Sequence, residues 1–218
     1  MRIALIGMSG TGKSYWSQLL AASGFERFGC DDHIGRRLAQ RLALADGSME
    51  TIGRWMGFPY EAGFEDREAQ YLALEHHVLS RFLDALDGPK DQPATPCVID
   101  TTGSVIYLDD KLLERLGRKA VVVHLAASAK RQTLLSAYKS KPRPVVWRGH
   151  FRQAFGEDRA TALARCYMAL YDDRERRYRR HAHLNIKLPP PAEPAPSPEA
   201  LLGPVRFYLE ANARAAAP

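Results

Sequence analysis

Short apolar runs alternate with longer stretches of helical period along almost the whole chain. Arg2 to Ile6, Glu26 to Gly29, Cys97 to Thr101, Ala120 to Leu125 and His183 to Leu188 read as strands. Several are continuously apolar, the pattern of strands covered on both faces rather than one. Between them the apolar positions recur every three to four residues. This predicts helices at Lys13 to Ala22, Asp31 to Ala45, Ser48 to Trp55, Glu61 to Leu86, Asp109 to Leu116, Ala129 to Tyr138 and Arg152 to Arg180. Alternation of this kind predicts a doubly wound α/β domain built on a parallel sheet.

Two proline-rich stretches interrupt the alternation. Asp87 to Pro96 is a polar connection into the third strand, and Pro189 to Pro198 reads as a stiff extended tether. Ser197-Pro198 offers an N-cap followed by a first-turn proline, so a last helix is expected from Pro198 to about Ala213. Leu201, Leu202, Val205, Tyr208 and Leu209 fall on one face of it. The alternative is a floppy tail, because Gly203-Pro204 interrupts the helix. The expected organisation is a core over residues 1–188, with substrate-binding helices over about 31–86 and a lid over about 139–152. A tether over 189–198 and a terminal helix over 199–218 packing on the core follow.

A chain of 218 residues, 45% hydrophobic, has enough apolar mass for one sizeable core. Its net charge of +6 suits polyanionic ligands without choosing among them. Cys30, Cys97 and Cys166 are far apart and form no C-x-x-C, which argues against a disulfide framework or zinc site and for a reducing compartment. No apolar run approaches the ~20 residues needed to span a bilayer, and the first strand opens at Arg2-Ile3 with no preceding leader. A cytoplasmic protein with no membrane partner is the expectation.

The loop after the first strand carries the densest chemistry. Residues 7 to 14 read Gly7-Met8-Ser9-Gly10-Thr11-Gly12-Lys13-Ser14, a complete G-x-x-x-x-G-K-S. A strand feeding a glycine-rich turn and then a helix N-terminus aims several backbone N–H groups and a helix dipole at one point. The glycines let the main chain approach a triphosphate, Lys13 reaches the β- and γ-phosphates, and the Ser14 hydroxyl ligates Mg²⁺. The nucleotide-binding set is Gly7, Ser9, Gly10, Thr11, Gly12, Lys13, Ser14 and Tyr15.

Four further segments bear on chemistry. Asp31 and Asp32 follow the second strand, and ligands of open parallel sheets sit at the carboxyl ends of strands. Asp31 is assigned to proton abstraction from an attacking hydroxyl and Asp32 to the helix cap, the reverse assignment staying open. Asp100 ends an apolar strand in the manner of a Walker B carboxylate that orients a magnesium shell, or else bonds a neighbouring loop. Thr101, Thr102 and Gly103 after it offer hydroxyls and N–H groups to a substrate. Lys139 to Arg148 carries cations and two prolines between helices, as a mobile lid would, with Arg143 as the clamping cation. In the run Arg174 to Arg180 at most two arginines can face a site, because consecutive residues cover every face of a helix.

Together these segments resemble shikimate kinase and its relatives among the nucleoside-monophosphate-kinase-like P-loop enzymes. The resemblance runs in order through the phosphate loop, Asp31 with Ile34, Gly63-Phe64 with Glu68, the turn at Thr101, Arg143-Pro144 and Tyr178-Arg179-Arg180. It implies a three-layer P-loop fold with sheet order 2-3-1-4-5, MgATP on Lys13 and Ser14, and Asp31 at the acceptor hydroxyl. It also implies a lid role for Arg143 and a substrate contact from Arg179. The departures concern the acceptor. Where the family has an arginine that pairs with the substrate carboxylate, this chain has Glu65. Where it has Gly-Gly-Gly, this chain has Thr101-Thr102-Gly103, and Gly29 replaces the first strand-2 aspartate.

The expected function is therefore an ATP-dependent small-molecule kinase, a phosphotransferase with an alcohol acceptor other than shikimate. Lys13, Asp31 and Arg143 carry catalysis, and Ser14 with Asp100 holds Mg²⁺. Asp31, Glu65, Thr101, Thr102, Gly103 and Arg179 meet the acceptor. A nucleoside or nucleotide kinase is the nearest alternative, with Arg143, Arg176, Arg177 and Arg179 on a second phosphate and Trp55, Phe58 and Tyr60 as stacking rings. A nucleic-acid-binding or regulatory nucleotide-binding module is the alternative from another class. Against nucleic acid, the cations are interleaved with Glu157, Asp158, Asp172, Asp173 and Glu175, and no nucleic-acid motif accompanies them. The expected partner is a small-molecule acceptor, and the expected assembly a monomer or dimer.

Overall fold

The computed structural model describes residues 1–87, 95–127, 131–140, 143–189 and 195–215. Five strands, β1 (Arg2–Ile6), β2 (Glu26–Gly29), β3 (Cys97–Asp100), β4 (Val121–Leu125) and β5 (Leu184–Ile186), form one sheet. Its order is β2-β3-β1-β4-β5, with every neighbouring pair parallel. The helices are α1 (Lys13–Ala22), α2 (Cys30–Leu42), α3 (Met49–Met56), α4 (Phe64–Ala85), α5 (Asp110–Lys119), α6 (Arg131–Ser140), α7 (Arg159–His181) and α8 (Glu199–Ala215). This is the three-layer, doubly wound architecture that alternating apolar runs specify.

Strand alternation divides the apolar residues between the two faces of the sheet. Ala4 and Ile6 of β1 face the larger core with Ile34, Leu79, Leu113 and Leu170 from α2, α4, α5 and α7. Ile3 and Leu5 face a smaller core with Trp16 and Leu20 of α1 and Leu201 and Val205 of α8. Register then fixes the site. Asp100 pairs with Leu5 on one side and Gly29 on the other, and Ile6 pairs with His124. The carboxyl ends of β1, β2 and β3 therefore lie side by side, and the loops leaving them meet.

Several boundaries differ from the sequence expectation for local reasons. α4 begins at Phe64 rather than Glu61, behind Gly63 in the left-handed conformation (φ 73°). α7 begins seven residues later than Arg152, where the Asp158 carboxylate accepts N–H bonds from Ala160 and Thr161 and caps it. α8 runs straight through Gly203-Pro204, as the expected terminal helix requires and the alternative of a floppy tail does not. Pro204 forfeits one backbone bond, yet Leu201 and Val205 on either side of it are completely buried. Part of the connection 87–96 (88–94), part of the tether (190–194) and residues 141–142 of the lid lie outside the described residues. Among the described residues no helix is long and apolar enough to cross a membrane.

Candidate active site

Gly7, Gly10 and Gly12 all take positive φ (146°, 86° and 94°), which winds the loop into a cradle. Gly7 is also sterically fixed, because a Cβ there would lie 2.7 Å from the Leu125 carbonyl oxygen. α1 starts at Lys13 with no side-chain cap, leaving its first N–H groups free to face the cradle. Lys13 is 6% exposed and folds back over the loop, donating to the carbonyls of Gly7 (2.8 Å) and Met8 (3.1 Å). Burial lowers its pKa, while Asp100 and Asp31 oppose the shift. Ser14 is exposed at the loop's rim. The Tyr15 side chain points away and packs with the α1–α8 core, so its nearest link to the loop is its backbone.

Asp31 opens α2 and looks across at Lys13. Burial pushes its carboxyl up to about 6; Lys13 lowers it, Asp100 raises it, and the Tyr71 hydroxyl, donating to Oδ1 at 3.2 Å, lowers it. Asp32 turns outward and pairs with Arg27 at 2.7 Å. Asp100 is buried, and its Oδ2 receives Arg27 Nη2 (2.7 Å) and Ser17 Oγ (3.0 Å). Its other oxygen, Oδ1, is buried and has no hydrogen-bond partner among the described residues.

A narrow cleft of about 50 Å³ opens between these groups, with Met8, Ser9, Lys13, Asp31, Arg143 and Arg174 on its wall. Met49 and Tyr71 close it from α3 and α4, and Gly103 with Ser104 from the turn after β3. Arg174 is 2% exposed. Its guanidinium donates to the carbonyls of Gly103 (3.2 Å) and Val146, and lies 5.3 Å over the Tyr107 ring. No carboxylate pairs with it among the described residues, and its Nε has no acceptor. Its hydrogen bonds go to carbonyls and its charge has no salt-bridge partner among the described residues, an environment in which an added anion is electrostatically favoured.

The structure revises the acceptor side. Glu65 is exposed on the outer face of α4 beside Arg148 and Gly149, away from the cleft. Arg179 is also exposed and faces Glu175 at 3.9 Å, since one residue along a helix is a rotation of about 100° from the buried Tyr178. Arg174, one turn before Tyr178, occupies the cleft instead. Thr101 and Thr102 are fully buried: Thr101 donates to the Leu5 carbonyl (2.7 Å), and Thr102 to Glu75. Of that turn, Gly103 and Ser104 reach the cleft. Trp55, Phe58 and Tyr60 pack against the larger core, Phe58 and Tyr60 stacking on each other at 5.4 Å.

Tyr71, Glu75 and Arg27 carry no motif, and sequence reasoning passes over them. Glu75 is 1% exposed and accepts from Thr102 and from Ser104 Oγ (2.6 Å); burial pushes it up to about 7. Arg143, Pro144 and Val145 lie along the cleft. Arg143 donates to Ser9 Oγ at 3.3 Å, and Val145 to Trp147 are buried. Glu68 holds that segment down by accepting the N–H groups of Trp147 and Arg148.

Among the described residues no cluster of three or more His, Cys, Asp or Glu forms a ready-made metal cage. The donor set nevertheless fits a magnesium ion carried in with phosphates, which needs one or two protein oxygens and keeps its waters. The exposed Ser14 hydroxyl and the unpartnered Asp100 Oδ1 supply that kind of set.

The fold and this loop define the class: a P-loop kinase fold, with its sheet in the order 2-3-1-4-5. Solved structures that share it include the shikimate kinase of Acinetobacter baumannii in complex with shikimate, 19% identical, with a TM-score of 0.58 and covering 97% of this chain and 93% of that one. The shikimate kinase of Aquifex aeolicus is 20% identical, with a TM-score of 0.56 over 98% of both chains. A deoxyadenosine kinase from M. mycoides with bound dATP is 12% identical, with a TM-score of 0.52 over 94% of this chain and 99% of that one. No protein-family profile and no curated protein matches the sequence.

Proposed function

We propose that this protein is a small-molecule kinase that moves the γ-phosphoryl group of MgATP to a hydroxyl of a polar, anionic acceptor other than shikimate. The observation that carries the reading is the convergence of Lys13, Asp31 and Arg174 on one cleft beside the phosphate loop. Phosphoryl transfer asks the protein chiefly for positioning and for charge at the equatorial oxygens. The loop amides and Lys13 would cradle the phosphates. Ser14 and Asp100 would hold the magnesium ion, which when bound neutralises charge on the transferring group.

Asp31 would take the proton of the acceptor hydroxyl. Its raised pKa of about 6 keeps it ionised at neutral pH yet basic enough to serve. Arg143, held to Ser9, would clamp the phosphoryl group from the lid segment. Arg174 would receive the acceptor's anionic group. Against shikimate, position 65, where the resembled family has its carboxylate-pairing arginine, holds a glutamate that lies outside the cleft, while Tyr71 and Met49 stand on the cleft wall. The nucleoside alternative loses its stacking rings, since Phe58 and Tyr60 are spent on packing.

ATP consumption screened against sugar acids, polyols, shikimate analogues, nucleosides and nucleoside monophosphates tests the reading. An acidic polyol that stimulates turnover, with Asp31→Asn binding ATP but transferring nothing, is the expected result. Stimulation by nucleosides alone would refute the acceptor class.

A further inference from the structure

Arg27 sits in β2 and ties three elements together at the edge of the phosphate loop. Its Nη1 donates to Asp32 Oδ2 (2.7 Å), its Nη2 to Asp100 Oδ2 (2.7 Å) and its Nε to Ser17 Oγ (2.8 Å). Ser17 Oγ in turn lies 3.0 Å from Asp100 Oδ2. Both donors that reach Asp100 are spent on one oxygen, and Oδ1 is left buried and bare. A buried carboxylate oxygen of this kind is ordinarily met by a donor or a cation.

The ion pair also fills the space above Gly29, the residue paired with Asp100 across the sheet. A Cβ at Gly29 would lie 2.3 Å from Asp32 Oδ2 and 2.9 Å from Arg27 Nη1. A side chain at 29 would have to displace the ends of both Arg27 and Asp32. The geometry leaves Asp100 Oδ1 as the carboxylate oxygen available to a divalent ion, and a guanidinium as its neighbour.

We propose that Arg27 tunes the metal site: its charge, held 2.7 Å from Asp100 Oδ2 and offset by Asp32, sets how strongly the site takes a divalent cation. The inference rests on the nucleotide reading above. Removing the guanidinium relieves like-charge repulsion on the ion and leaves the Ser17 hydroxyl, 3.0 Å from both Asp100 Oδ2 and the Ser14 carbonyl, to donate to Oδ2. Neutralising Asp32 does the opposite, because it leaves Arg27 less compensated. Opposite signs from two partners of one ion pair are not what a merely structural pair would give.

The test measures ADP binding by calorimetry in EDTA and in Mg²⁺, and Mn²⁺ held in the protein–ADP complex by electron paramagnetic resonance. Arg27→Gln is expected to tighten Mn²⁺ binding about ten-fold, and Asp32→Asn to weaken it several-fold. Mn²⁺ affinity that is unchanged or weaker in a natively folded Arg27→Gln overturns the proposal. If Arg27→Gln fails to fold, the exposed Asp32→Asn decides alone, and unchanged Mn²⁺ affinity overturns the proposal. Failure of the wild type to take up ADP with or without metal is a different result: it removes the nucleotide reading and this inference with it.

Discussion

Replacing Glu75 by glutamine should change how stability depends on pH, by an amount the site itself sets. Glu75 lies 1% exposed behind the cleft, and burial moves its carboxyl from an ordinary 4.5 up to about 7, partly offset by the hydroxyls of Ser104 and Thr102. Below pH 4.5 it is protonated in both the folded and the unfolded chain and costs nothing. As pH rises the unfolded chain releases its proton first, so stability is lost until the folded group has titrated near 7. Two and a half pH units at ~1.36 kcal/mol each amount to about 3 kcal/mol by pH 8. Glutamine keeps the shape and one acceptor but cannot ionise. Urea denaturation of both proteins at pH 5 and pH 8 should therefore show Glu75→Gln gaining roughly 2–3 kcal/mol relative to wild type between the two conditions, since part of the loss has already occurred by pH 5. Other titrating groups are common to both proteins and cancel. A difference that stays flat across that range would refute the buried, protonated Glu75.

Other consequences are open to direct measurement. Because the Asp31 carboxyl is raised to about 6 in the free protein, the acidic limb of kcat/KM against pH should fall with a midpoint near that value, and a midpoint near 4 would remove Asp31 as the base. Arg174→Gln should raise the acceptor KM about 30-fold or more, as loss of a buried charged contact of ~2 kcal/mol or above implies, and leave ATP affinity nearly intact. An unchanged acceptor KM would mean that Arg174 is structural. Leu201→Ala, at a completely buried position of α8, should cost about 2–5 kcal/mol in chemical denaturation, whereas a terminal helix only loosely attached would lose almost nothing.

How much of this was legible in the sequence varies with the range of the interaction. The span Arg2 to Ala22 was readable to the residue, because strand, glycine turn and helix are each specified by neighbours in the chain. The sheet order was available from the family resemblance and not from periodicity, which is silent on strand neighbours. Arg174 could have been found. Leu163, Tyr167, Leu170, Arg174 and Tyr178 recur at steps of four, three, four and four along the buried face of α7, so the cation inside that stripe is Arg174 and not Arg179. The hydroxyls of Thr102 and Ser104 were legible as hydroxyls only. Their acceptor, Glu75, is 27 and 29 residues away on another element, and nothing local announces it. Arg27 is harder still, a charged residue in a short strand whose three partners come from α1, α2 and β3. The exposed Glu65 shows the converse error: a motif register places a residue on a helix, but the packing of that helix decides which face meets the cleft.

Titration calorimetry of the wild type and Lys13→Ala with ATP and Mg²⁺ tests the central claim most directly. Saturable one-to-one uptake by the wild type, lost in Lys13→Ala while the fold is retained, is the predicted outcome. Absence of heat from the wild type, or equal binding by both proteins, would contradict a phosphate loop that works through that lysine.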